Sequence, residues 1–193
     1  MRMEELSRGL WRWTGLHPEW TPEQGGPEGW AQEVGCVYYE APEAVVLVDP
    51  LVPPEDEERF WRALDRDVER TGKPVRVLLT SHWHARSAEA IAARYGGEVG
   101  GDLPRGVEGH HAVHFDETVF WIAEHGALVF GDVVLGAGAG GVRLCPESWL
   151  ENAGHAELKE ALRPLLELPV ERLLVSHGEP VLRDARSTLA LVL

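Results

Sequence analysis

A chain of 193 residues, 44% of them hydrophobic, is long enough to bury a sizeable core, and a single domain over residues 1–193 is the default reading. A net charge of −14 argues against a nucleic-acid or anionic-membrane surface, because phosphate is bound largely through Lys and Arg. No apolar run approaches the ~18 residues of a spanning helix, the start MRMEELSRGLWRW lacks the apolar core of a secretory signal, and Cys36 and Cys145 are too few for a disulfide framework, so a cytoplasmic protein with reduced thiols is expected.

The stretch from Pro18 to Gly29, rich in Pro and Gly, predicts a surface loop before the main core. VGCVYYEAP and AVVLVDP then read as two strands, the second ending at Asp49. Pro53 and Pro54 followed by four acids predict a helix start, and Phe60, Trp61, Leu64 and Val68 continue it at helical spacing to Gly72. VRVLLT is a short strand whose end delivers Ser81, His82 and His84, and a helix from about Ser87 runs to Gly96 and Gly97. HHAVHF, TVFWIA and ALVFG predict consecutive strands, the last two joined as a hairpin at Glu124, His125 and Gly126, with Asp132 just beyond. GAGAGG at 136–141 lacks the strand, glycine and lysine arrangement of a P-loop and predicts a flexible loop bordering a site. A helical region at 156–168 should kink or divide at Pro164, ERLLVS is a strand ending before His177, and a last helix carries Leu182, Leu189 and Leu193.

His82, His84, Asp132 and His177 each follow an apolar strand-like run, and His114 lies near the end of another, so they can converge on one edge of a sheet. In an extended loop the H-x-H pair His82-Trp83-His84 would aim both rings the same way. Nitrogen ligands of this kind suit zinc, and three with a water leave the open position of a hydrolytic site. By itself the pair is a weak signal in a chain with nine histidines.

The ordered set Asp49, His82-Trp83-His84, His114, Gly131-Asp132 and His177-Gly178 is far more specific, and it resembles the metallo-β-lactamase fold superfamily over roughly residues 34–182. That resemblance implies a four-layer αβ/βα sandwich of two mixed sheets flanked by helices, with the site at one sheet edge. It implies metal-dependent hydrolase chemistry, with zinc usual and iron or manganese in some branches. His82, His84 and His114 would match the first metal site, Asp132 the bridging carboxylate, and His177 a second-site ligand.

The family loop is H-x-H-x-D-H, whereas here Arg86 and Ser87 stand where the Asp and the second His would be. Arginine offers only donors and cannot replace a carboxylate ligand, so one divalent metal rather than two is expected. Arg86 would then pair with Asp132 or hold an anionic substrate group, Asp49 would orient the histidine loop, and Trp83 would wall the site. The expected function is hydrolysis of an ester, thioester, lactone or phosphoester of a small molecule, with Asp132 as ligand or base. Two other readings stay open: a non-catalytic binding module with a degenerate, metal-free site, and a mononuclear iron oxygenase. Homo-oligomerisation is not readable from the chain.

Overall fold

A computed structural model describes residues 1–112, 116–150 and 153–193. Twelve strands and four α-helices follow in the order β1 Arg2–Ser7, β2 Leu10–Leu16, β3 Glu33–Glu40, β4 Val45–Val48, α1 Glu57–Thr71, β5 Val75–Leu78, α2 Ala88–Tyr95, β6 Glu98–Val99, β7 Val107–Ala112, β8 Glu117–Ile122, β9 Ala127–Phe130, β10 Val134–Gly138, β11 Gly141–Leu144, α3 His155–Leu162, β12 Arg172–Val175 and α4 Ala185–Ala190. One mixed sheet runs β1-β2-β3-β4-β5-β6, antiparallel as far as β4 and parallel from β4 to β6. The other runs β12-β9-β8-β7, with β12 parallel to β9 and the remaining pairs antiparallel.

The sequence patterns account for the layering. In β3, Val37 and Tyr39 face the second sheet while Cys36 and Tyr38 face the helices; in β8, Phe120 and Ile122 face the first sheet while Val119 and Trp121 face outward. Strands apolar on both faces must be covered on both faces, which is why these runs are nearly continuous rather than alternating. Phe60 and Leu64 of α1 and Ile91 of α2 cover the first sheet; Leu158 and Leu162 of α3 and Leu189 of α4 cover the second. The four-layer αβ/βα sandwich of two mixed sheets is therefore present. Among the described residues, no helix is long and apolar enough to cross a membrane.

The N-terminal hairpin has no counterpart in the sequence reading, GAGAGG departs from it, and the division at Pro164 follows it. Residues 2–16 form a hairpin that extends the first sheet, although their pattern is broken by Arg12. Arg12 is nonetheless buried, because its guanidinium donates to the carbonyls of Val175 and Gly178, at 3.3 and 2.9 Å. GAGAGG is not a loop: it spans the β10–β11 hairpin, whose turn residues Ala139 and Gly140 both have positive φ, 49° and 76°. Small residues tolerate that primed-turn geometry, which is why the segment closes a hairpin. At Pro164 the helical region divides, α3 stopping at Leu162 and a 3-10 segment following at Arg163–Glu167.

Candidate metal centre

The segments that follow four strands, β4, β5, β9 and β12, supply the centre. β4 ends at Asp49, whose φ of 49° places a non-glycine residue in the left-handed region. Such a backbone persists only where its surroundings hold it, and here the buried side chain does so. Asp49 Oδ1 accepts the Thr80 N–H at 2.8 Å, and Oδ2 accepts the Thr80 hydroxyl at 2.6 Å. Oδ2 also lies 2.9 Å from Nδ1 of His84. With Nδ1 occupied by Asp49, His84 presents Nε2 to the cleft, and that atom is 3.3 Å from Oδ1 of Asp132. His177, just past β12, places its Nε2 3.0 Å from the same oxygen.

Asp132 is fixed from behind. Glu117, at the start of β8 and fully buried, accepts the backbone N–H groups of Gly131, Asp132 and Val133 at 2.8, 2.7 and 3.0 Å. Gly131 packs so closely on Thr80 that a side chain there would run into the Thr80 hydroxyl. The turn that carries Asp132 is thus clamped between Thr80 and Glu117.

The electrostatics follow from burial and from these contacts. Burial works against a charged His84 ring, but the Asp49 and Asp132 carboxylates outweigh it and push its pKa up to about 9. Burial also disfavours ionised Asp132, yet hydrogen bonds from His177 and His84 hold it well below the usual carboxylate range. His177 is pulled down, chiefly by burial. Glu117 is pushed up to about 7, first by burial and then by the neighbouring Asp132 charge.

His84, Asp132 and His177 each offer one ligand atom, and those atoms all lie within 4.8 Å of one another. Ligands about 2.0–2.1 Å from a tetrahedral ion stand about 3.3 Å apart, so the 3.0 and 3.3 Å separations match what an ion needs. A carboxylate on the far nitrogen of a histidine is likewise the usual support of a metal ligand. The residues fit a single divalent ion.

The cluster opens into a cleft of about 630 Å³. Its walls include Trp30 from the segment before β3, Trp83 from the histidine loop and Trp149 from the 3-10 turn Glu147–Trp149. The Trp30 ring lies 4.9 Å from the His177 ring and 5.3 Å from that of His17.

Comparison with solved structures places the fold. The chain superposes on VMB-1 with a TM-score of 0.61 at 12% identity, covering 98% of this chain and 93% of that one. For the DIM-1 metallo-β-lactamase, in a structure exposed to ceftazidime, the values are 0.58, 11%, 99% and 95%. The chain has the metallo-β-lactamase fold. A metallo-β-lactamase from Erythrobacter litoralis aligns at 0.58 and 18% identity, covering 98% and 90%. No family model matches the sequence, and neither does any curated protein.

On the metallo-β-lactamase fold, the residues singled out in the sequence divide into groups. His84, Asp132 and His177 come together, with Asp49 behind His84. His114 lies outside the described residues. His82 lines the cleft but is exposed and is not among the three clustered residues. The reason is local: His82–His84 forms a 3-10 turn rather than an extended segment. At three residues per turn, positions two apart point about 120° away from each other, so His84 turns inward and His82 stacks against Trp83 with ring centroids 4.1 Å apart.

Arg86 also differs from expectation. Its guanidinium does not pair with Asp132; Nη1 donates to the carbonyls of Asp49 and Gly35 at 3.0 and 3.4 Å, and Nη2 to the Ser176 hydroxyl at 3.1 Å. Arg86 thereby ties together β3, the end of β4 and the end of β12, and its own φ is 36°. Ser87 donates no metal contact either: its hydroxyl accepts the Val52 N–H at 2.9 Å.

Several residues of the site carry no motif. Glu117 follows Asp116 at the start of a strand, and Trp30, Trp149 and His17 belong to no recognisable motif. For Glu117 a signal did exist in retrospect, an acid opening an otherwise apolar strand, TVFWI.

Proposed function

We propose that the chain is a metal-dependent hydrolase that holds one divalent ion on His84, Asp132 and His177 and acts on an ester, thioester, lactone or phosphoester of a small molecule. The observation that carries the reading is the convergence of two imidazoles and one carboxylate within 4.8 Å at the edge of the two sheets of a metallo-β-lactamase fold. Zinc suits such a donor set, and iron or manganese would also be accepted. When bound, the ion supplies Lewis acidity and a water whose pKa falls to about 7 from nearly 16.

The rest is done by the chain. Asp49 holds Nδ1 of His84 so that Nε2 faces the ion, Glu117 holds Asp132 in place, and Trp30 backs His177. Asp132, ionised far below neutral pH, is available as an anionic ligand, and so low an affinity for protons makes it a weak base. The cleft volume lies in the range of small-molecule sites, about 300–1,000 Å³.

The test is hydrolysis by metal-stripped protein reloaded with zinc, ferrous iron or manganese, against a panel of the four substrate classes. Turnover that needs added metal and disappears in His84→Ala supports the proposal. Stoichiometric metal binding with no hydrolysis of any class removes it. A second reading, a mononuclear iron oxygenase, is favoured by one observation, the two-histidine, one-carboxylate donor set. Oxygen uptake that depends on ferrous iron would select it.

A further inference from the structure

We infer that the cleft recognises neutral and cationic esters or lactones with a compact apolar group, and turns away substrates that carry a carboxylate or phosphate of their own. This rests on the hydrolase reading and names its substrate class. Among the described residues that line the cleft, Arg86 is the one Arg or Lys. Binding a carboxylate or phosphate well takes both arms of a guanidinium fork. Both arms of Arg86 are already committed, Nη1 to the Asp49 carbonyl and Nη2 to Ser176.

The described walls offer an anion repulsion instead. Glu19 and Asp116 are exposed and border the cleft, and the chain around them carries a net charge of −14. A field of that sign repels anions and draws cations toward the opening.

What the walls offer in place of a cation is aromatic surface. Trp30, Trp83 and Trp149 arrive from three separate segments, and two of those segments are pinned to each other. The Trp149 indole donates to the Glu28 carbonyl at 3.1 Å, Arg143 to the Gly29 carbonyl at 3.4 Å, and the Trp20 indole to the Trp30 carbonyl at 3.0 Å. The residues before β3 are therefore a built wall of the site. Trp83 is 70% exposed and lines the cleft, so its ring is open to a ligand. Indole faces bind apolar groups and quaternary ammonium groups, and carboxylates nearby favour the latter.

The test separates recognition from catalysis. Benzyltrimethylammonium, tert-butyl benzyl ether and benzylphosphonate are titrated into metal-free protein, so that no ion can ligate the phosphonate, with tryptophan fluorescence as the readout. Metal-loaded protein is then given the phenylacetate esters of choline, 3,3-dimethylbutanol and 3-hydroxypropanesulfonate. The cation should bind about tenfold or more tightly than the phosphonate, with the ether between them. High salt should narrow the gap, as should Glu19→Gln combined with Asp116→Asn, two exposed and isosteric changes. Trp30→Ala should weaken the cation and the ether together.

Phosphonate binding as tight as the cation, or no binding of any probe, would overturn the inference. Ordered binding with none of the three esters, and no member of the four-class panel, hydrolysed supports the recognition and removes the hydrolase reading.

Discussion

Oδ2 of Asp49 lies 2.9 Å from Nδ1 of His84, and together with the Thr80 hydroxyl at the same distance it turns Nε2 of His84 to the cleft. If it orients a metal ligand, Asp49→Ala should weaken metal binding by about 10- to 100-fold, the usual effect of losing such a partner. Asp49→Asn keeps one acceptor oxygen, enough for either the Thr80 N–H or the His84 ring but not both, and should lose less than the alanine variant. Isothermal titration of the metal-free proteins measures both.

Glu117 is buried with three backbone N–H groups on its carboxylate. Glu117→Ala leaves those donors unpaired at about 1–3 kcal/mol each, so a loss of at least ~3 kcal/mol of stability is expected. Glu117→Gln keeps one acceptor oxygen and should recover part of it. Chemical unfolding of the two variants checks the order; equal stability of wild type and Glu117→Ala would show that the turn holds itself.

Arg86 joins three strand ends, so its removal should be felt first in the fold. Arg86→Ala is expected to cost roughly 2 kcal/mol, since hydrogen bonds from a charged group contribute about 1.5–3 kcal/mol. A lysine cannot reach the Asp49 carbonyl and Ser176 with one planar fork, so Arg86→Lys should restore less than half. Urea midpoints with an unchanged slope would measure this cleanly.

Metal binding should be pH-dependent in a definite direction. In the metal-free protein the Asp49 and Asp132 carboxylates overcome burial and hold the His84 pKa up at about 9, so the ring is protonated at neutral pH and must lose a proton before Nε2 can bind an ion. Affinity should therefore rise with pH, about tenfold per unit, until it levels off above about 9. Calorimetry at neutral pH in buffers of different ionisation enthalpy should report about one proton released through His84. No proton release would mean that His84 is not a ligand.

The fold was largely legible because its strands are apolar on both faces and its helices carry long periodic stripes. β4, β5, β9 and β12 stand where short apolar runs end in turn residues. The N-terminal hairpin was hidden by Arg12, a buried charge whose carbonyl partners lie more than 160 residues away. At the site, chain order identified His84, Asp132, His177 and Asp49, because each follows an apolar strand run. It could not foresee that His82–His84 would wind into a 3-10 turn, which sends two histidines of one motif in different directions. Nor could it foresee the committed Arg86 guanidinium, since hydrogen bonds to backbone carbonyls leave no trace in side-chain pattern. The tryptophan walls owe their role to long-range packing alone, whereas Glu117 leaves one trace, an acid opening an apolar strand.

The most direct measurement is a metal titration of metal-free protein, wild type beside His84→Ala, Asp132→Ala and His177→Ala, with thermal unfolding to show that each variant is folded. One ion per chain, with binding lost or greatly weakened in all three folded variants, is the predicted result. No ion bound by the wild type, or binding unchanged in the three variants, would contradict it.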